Sequence, residues 1–191
     1  FEAGDVVLQS GQVFQCARLA YETYGTLAAD KGNAVLVRTP FGAHHSDIEH
    51  QVGNGRALDP ERYFVVIVNL FGNGLSSSPS NLQPGEGPWS DFTIADNVKV
   101  QERMLREVFS IEVLQLAYGF SMGGMQALHW AALFPKKVRR FAAVCATARV
   151  SPHNYMFLEG LRTVLTVGGP SVAPEERMKA APAVQATLKG R

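Results

Sequence analysis

Gly119-Phe120-Ser121-Met122-Gly123 is the segment of this 191-residue chain whose residue types and spacing point most directly to chemistry. It has the form G-x-S-x-G, set between an apolar run, Val113 to Tyr118, and an apolar helical pattern, Met122 to Leu133. That context predicts a sharp strand-to-helix turn with the serine at its apex. In such a turn the serine takes a strained backbone conformation and its hydroxyl stands clear of the sheet. The flanking glycines remove the Cβ atoms that would hold strand and helix apart. The N–H of Met122 is then aimed where an oxyanion would form, and the positive end of the new helix favours that charge. The chemistry expected is attack of the Ser121 hydroxyl on a carbonyl carbon to give an acyl-enzyme. Outside its strand and helix the pattern would read only as a glycine-rich turn packing a helix on a sheet.

A second oxyanion donor is expected from the loop Thr39-Pro40-Phe41-Gly42-Ala43. Pro40 has no N–H to give, which leaves Phe41 or Gly42; Phe41 is assigned the role, and Phe41, Gly42 and Phe120 are expected to line the substrate pocket. The bland alternative is an ordinary turn carrying an aromatic residue. His44, His45 and Asp47 follow at once, but adjacent residues in an extended segment face opposite ways and no second cluster completes a coordination shell. Structural hydrogen bonding is expected there, and no metal. His50 and His129 fall on predicted helices, His129 on a flank of the helix behind the serine. The basic run Lys136 to Arg140 reads as a solvated strand start, not a nucleic-acid patch.

A nucleophilic serine needs a histidine base, and the histidine a carboxylate to fix its tautomer and stabilise its charged form. When the serine sits at such a turn, acid and then histidine follow it in the chain. After Ser121 there is no aspartate; the later acids are Glu159, Glu175 and Glu176, and the last histidine, His153, precedes all of them. The required order cannot be met, and His153 lies in Ser151-Pro152-His153-Asn154, where the pattern of the chain changes. The chain is therefore expected to stop within an insertion, with the rest of the triad in a second chain that completes the fold, or absent. A sheet cut off near Ala146 would expose an apolar edge, so association is expected, as a homo-oligomer or with that second chain.

The elements that must hold these residues follow from the hydrophobic pattern. Apolar and polar residues alternate over 6–24, broken at Ser10-Gly11, which predicts an antiparallel hairpin. Ala34 to Val37, Tyr63 to Val68, Val113 to Tyr118 and Val138 to Ala146 are short β-branched or apolar runs suited to buried parallel strands. Thr93-Ile94-Ala95-Asp96 resembles a capping box opening a helix toward Phe109. Strand, helix, strand in succession predicts an α/β fold with a mostly parallel doubly wound sheet, residues 1–150 forming its core. Residues 151–191 are expected to begin a helical lid, with one helix over Tyr155 to Val167.

Composition sets the outer bounds. With 46% hydrophobic residues the chain can bury a core, and a net charge of +1 gives no general pull toward nucleic acid or an anionic membrane. No apolar stretch approaches the roughly 18 residues of a membrane span. Two cysteines, Cys16 and Cys145, suggest neither a disulfide framework nor a zinc site, and a cytoplasmic location is expected.

The segment from Gly119 through Ser121 and Gly124-Met125-Gln126-Ala127-Leu128-His129-Trp130 to Ala131 resembles the nucleophile segment of homoserine O-acetyltransferases and their close α/β-hydrolase relatives. So do Ala20 to Gly25, and Asn69 to Gly74 followed by Ser78-Pro79-Ser80-Asn81, so that the likeness reaches about Leu161. The resemblance implies an α/β-hydrolase fold and ping-pong acyl transfer through Ser121. A small-molecule donor such as acetyl-CoA would be the co-substrate, with no bound cofactor, an alcohol such as the homoserine hydroxyl would accept, and the setting would be methionine biosynthesis. Thr39 to Gly42 and Gly72 to Ser76 depart from the family where substrate is recognised, and no counterpart of its carboxylate-binding lid arginine can be matched, Arg162 being merely nearby. An esterase of the same family, with water as acceptor, is the alternative; a non-catalytic chain lacking acid and histidine is the second.

Overall fold

The computed structural model describes residues 1–166, and packing divides the chain into two units, Phe1–Thr147 and a second that begins at Ala148. The first unit opens with a hairpin, β1 (Glu2–Val7) and β2 (Val13–Arg18), paired antiparallel as a sheet of its own. Its strands bury Ala3, Val6, Phe14 and Ala17, three residues apart on each strand instead of two, because the register shifts on either side of Gly4. Tyr21–Tyr24, read from sequence as part of that hairpin, instead leaves it as β3 and joins the main sheet, antiparallel to β5 (Phe64–Val68).

The main sheet has the order β3-β5-β4-β6-β7, with β4 at Ala34–Arg38, β6 at Leu116–Phe120 and β7 at Phe141–Val144. All pairs except β3 with β5 are parallel. Every residue of β4 and β5 is buried, as both faces of a parallel sheet are covered. On one face Ala34, Leu36, Phe64, Val66, Val68 and Ala117 meet the helices α2 (Ile94–Phe109) and α3 (Met122–Leu133). On the other, Val35, Val37, Val65 and Ile67 pack with Ile48 and Leu58 from the segment holding the short helix α1 (His45–Ile48) and a 3-10 turn at Glu49–Gln51.

The helix α2 starts where the sequence predicts. The Thr93 hydroxyl accepts from the Asp96 amide (3.2 Å), and the Asp96 carboxylate accepts from the Thr93 amide (2.9 Å) and from Gln9 N (2.8 Å), pinning the hairpin to the helix. A buried relay, Trp130 Nε1 to Gln101 Oε1 (2.9 Å) and Gln101 Nε2 to Gln126 Oε1 (2.6 Å), fixes α3 against α2. The strand β6 begins later than its apolar run: Leu114 makes one isolated bridge to Val138, and regular pairing starts at Leu116 and runs to Phe120.

In the second unit α4 spans Pro152–Thr166, three residues earlier than the pattern predicts. Pro152 takes the first helical position, where no N–H is needed, and the Ser151 hydroxyl accepts from the Asn154 amide (3.2 Å). Glu175 and Glu176 lie outside the described residues. Among those described, no helix is long and apolar enough to cross a membrane.

Candidate functional site

The chain leaves β4 toward β5 on one side and β6 lies on the other, so the loops after β4 and β6 diverge from neighbouring carboxyl ends. Such a reversal of strand order opens a crevice above the sheet. Ser121 sits there, between the last residue of β6 and the first of α3, with φ 53° and ψ −122°. A positive φ on a serine is strained, and three anchors hold it. Ser121 N donates to Val144 O of β7 (2.8 Å), Met125 N donates to Ser121 O (3.0 Å), and the glycines around it let backbones touch. A Cβ on Gly119 would fall on the Gly123 carbonyl, one on Gly123 on the Arg38 carbonyl at the end of β4, and one on Gly124 would lie 2.7 Å from Ala146 Cβ. The glycines of the motif are thus demanded by contact between α3, β4, β6 and β7.

A cavity of about 250 Å³ opens beside this turn, lined by Phe41, Gly42, Leu70, Phe71, Gly72, Asn73 and Met122. Three expected residues therefore meet at one place: Met122 as the first residue of α3, its N–H free of intrahelical bonding, with Phe41 and Gly42 across from it. Phe120, also expected in the pocket, ends β6 with its side chain 44% exposed and does not line this cavity. Phe41 is 70% exposed, so its ring forms an open rim. Of the wall from Leu70 to Asn73, Gly72 and Asn73 fall in the stretch where the resemblance places substrate recognition, and Leu70 and Phe71 were not read from sequence as part of the site. Phe71 stacks on Phe92 (4.3 Å between centroids), and Trp89 packs against Phe92 and over Gly72, giving that wall a rigid aromatic backing.

The histidines of the first unit are engaged in structural hydrogen bonds. His129 Nδ1 donates to Met125 O (3.0 Å) one turn back on α3, His50 Nδ1 to Asp47 O (3.0 Å), and His44 Nε2 to Asn73 O (2.8 Å); His45 Nδ1 accepts from Asn69 Nδ2 (3.1 Å). Among the described residues no group of three or more His, Cys, Asp or Glu is arranged to hold a metal ion. Lys137, in the basic run, pairs with Glu102 and Glu112.

Arg38 closes β4 directly beneath the site and escaped the sequence reading, because a charge at a strand end ordinarily reaches solvent. Here it is 1% exposed. Its Nη1 donates to Tyr118 O (3.1 Å) and its guanidinium lies 5.9 Å from the Trp130 ring centroid, but Nε and Nη2 have no partner among the described residues. Burial pushes its pKa down to about 9, so at neutral pH it remains charged and bears the full cost of desolvation. Arg38→Met keeps the length, rests a thioether on Trp130 and removes the charge. It is expected to raise stability by about 1–3 kcal/mol at pH 7, read as a higher urea midpoint. A lower midpoint would show that the guanidinium is compensated.

The profile of the alpha/beta hydrolase fold family matches residues 38–187. The chain is 42% identical over 166 residues to an ethyl acetate hydrolase of Pseudomonas veronii, covering 85% of this chain and 48% of that protein. It is 37% identical to a homoserine O-acetyltransferase of Zymomonas mobilis, covering 82% and 46%. The crystal structure of an acetylester hydrolase from Corynebacterium glutamicum superposes with a TM-score of 0.89 at 32% identity, covering 98% of this chain and 57% of that one. The chain spans about half the length of the curated relatives it matches. With the fold, the strained serine turn and the family match in agreement, this chain belongs to the α/β-hydrolase fold family.

Proposed function

We propose that the full protein is a serine esterase that cleaves esters of short acyl chains, with Ser121 as nucleophile and the Met122 and Phe41 amides as oxyanion donors. The observation that carries this reading is the strained Ser121, set beside a cavity bounded by Met122, Phe41 and Gly42. The Ser121 oxygen adds to the ester carbonyl carbon, the carbonyl oxygen takes the negative charge between the two amides, and the C–O bond to the alcohol breaks. The serine proton passes through a base to the departing alcohol, and water then attacks the acyl-enzyme to release the acid. The reading requires a histidine and a carboxylate beyond those engaged in the first unit.

Water as acceptor is favoured over homoserine, which the sequence resemblance put first. The likeness to the ethyl acetate hydrolase, at 42%, exceeds that to the homoserine enzyme, at 37%. Transfer from acetyl-CoA to homoserine is the second reading, supported by that 37% likeness. The two part on the fate of the acyl group. Full protein treated with p-nitrophenyl acetate is expected to carry an acetyl adduct on Ser121, seen by peptide mass spectrometry after an acid quench, and to lose it at a rate that homoserine leaves unchanged. Faster loss with formation of O-acetylhomoserine would replace the esterase reading by the transferase one, and an inert protein would overturn both.

A further inference from the structure

The cavity has two walls from different loops, and what joins them is a set of side chains that the proposed chemistry does not use. Asn69, the residue after β5, is fully buried, and its amide makes four hydrogen bonds. Its Oδ1 accepts from His45 N (3.0 Å) and from Asn73 Nδ2 (3.1 Å); its Nδ2 donates to Ala20 O (3.3 Å) and to His45 Nδ1 (3.1 Å). The backbone partners fix which end of the amide is which: His45 N can only donate and Ala20 O can only accept. His45 Nδ1 must then be the unprotonated nitrogen of its ring.

Asn73 extends the link. Its Nδ2 also donates to Ala43 O (3.2 Å), its Oδ1 accepts from Leu75 N (3.1 Å) and Ser76 N (3.3 Å), and its carbonyl accepts from His44 Nε2 (2.8 Å). The loop bearing Phe41 and Gly42 is thus held at one end by Thr39 N on Val68 O, and at the other through Ala43, His44 and His45 on Asn73 and Asn69. Between those anchors the Phe41 side chain is mostly in solvent and supplies little restraint of its own.

We propose that Asn69, acting through His45 and Asn73, is the positioning residue that sets the Phe41 amide opposite Met122 and so completes the oxyanion site. The assignment rests on the acyl-enzyme reading above. Asn69 does not line the cavity, so its part is to hold the loop and not to bind substrate.

The discriminating variant is Asn69→Asp. It keeps the two acceptor bonds, loses the donor to Ala20 O, and puts a carboxylate oxygen where the amide nitrogen faced His45 Nδ1. Its second oxygen accepts from His45 once the neutral ring carries its proton on Nδ1 instead of Nε2, so the link to the loop is largely kept. Asn69→Leu, of similar volume, loses all four side-chain bonds.

The experiment measures p-nitrophenyl acetate hydrolysis and hydrogen exchange of the segment 39–45 in the full protein. The expected result is an Asn69→Leu kcat about 10- to 100-fold below wild type with KM little changed and faster exchange of the segment, and an Asn69→Asp kcat that recovers to within about ten-fold of wild type. Faster exchange in Asn69→Leu with a wild-type kcat would overturn the positioning role, and unchanged exchange would overturn the clamp. A wild type inert to the ester would sink the acyl-enzyme reading, and the proposal with it, whatever the exchange shows. If Asn69→Leu does not fold, His45→Ala, which lies off the cavity and gives up the bond from Asn69 Nδ2, must lower kcat with KM little changed, or the proposal fails.

Discussion

Ser121→Ala is expected to lower ester turnover by the full protein by about four or more orders of magnitude while leaving KM within a few-fold. The split between the two parameters follows from what the hydroxyl does. It forms its bond to the carbonyl in the transition state and contributes little to holding the ester beforehand, so its loss falls on kcat. Alanine meets the same positive φ as serine at this position, so the turn is no more strained than before. Ser121→Gly goes further. Glycine adopts φ 53° without steric cost, so this variant is expected to gain about 1 kcal/mol of stability and to be as inactive as Ser121→Ala. Stability that rises while turnover vanishes would mark the turn as strained for chemistry's sake. An unchanged kcat in either variant would mean that a different group attacks the ester.

The turn itself was legible because its signal is local. Two glycines and a serine, an apolar run before and a helical pattern after, lie within a short stretch, and the helices α2 and α3 begin where Thr93 and Met122 place them. The second cavity wall was legible only through the resemblance, which places substrate recognition at Gly72 to Ser76. Asn69 and Asn73 belong to a segment matched by resemblance, but as residue types they suggest only a turn, and their role arises from bonds to Ala20, Ala43 and His45, far away in sequence. The bonds of His44 and His45 run to Asn73 O and Asn69 Nδ2, distant partners that no local pattern names. Arg38 failed for the opposite reason: its local pattern suggests an exposed strand end, and only the packing of Trp130 and the first turn of α3 over β4 buries it. The hairpin was extended too far because period-two alternation continues through Tyr21–Tyr24. Alternation reports one buried face and not which sheet a strand joins.

Gly123→Ala is expected to destabilise the fold by about 3 kcal/mol or more, a larger effect than any other single methyl group added to the described helices should have. The added Cβ would fall on the carbonyl of Arg38, with Thr39 O 3.2 Å away. Both obstacles are backbone atoms at the end of a fully buried strand, so no side chain can rotate out of the way. Relief requires α3 to lift from β4, which also pulls on the relay through Trp130, Gln101 and Gln126 and moves the Met122 amide away from the Phe41 loop. The comparison that isolates the contact is Gly160→Ala on α4, where nothing among the described residues lies within 4 Å of the new methyl group. There, better helix propensity should leave stability unchanged or raise it by up to about 1 kcal/mol. Urea denaturation of both variants beside wild type decides the matter. If Gly123→Ala costs no more than Gly160→Ala, α3 can tilt at its first turn without penalty, and the close approach of α3 to β4 is not what holds Ser121 in its strained conformation.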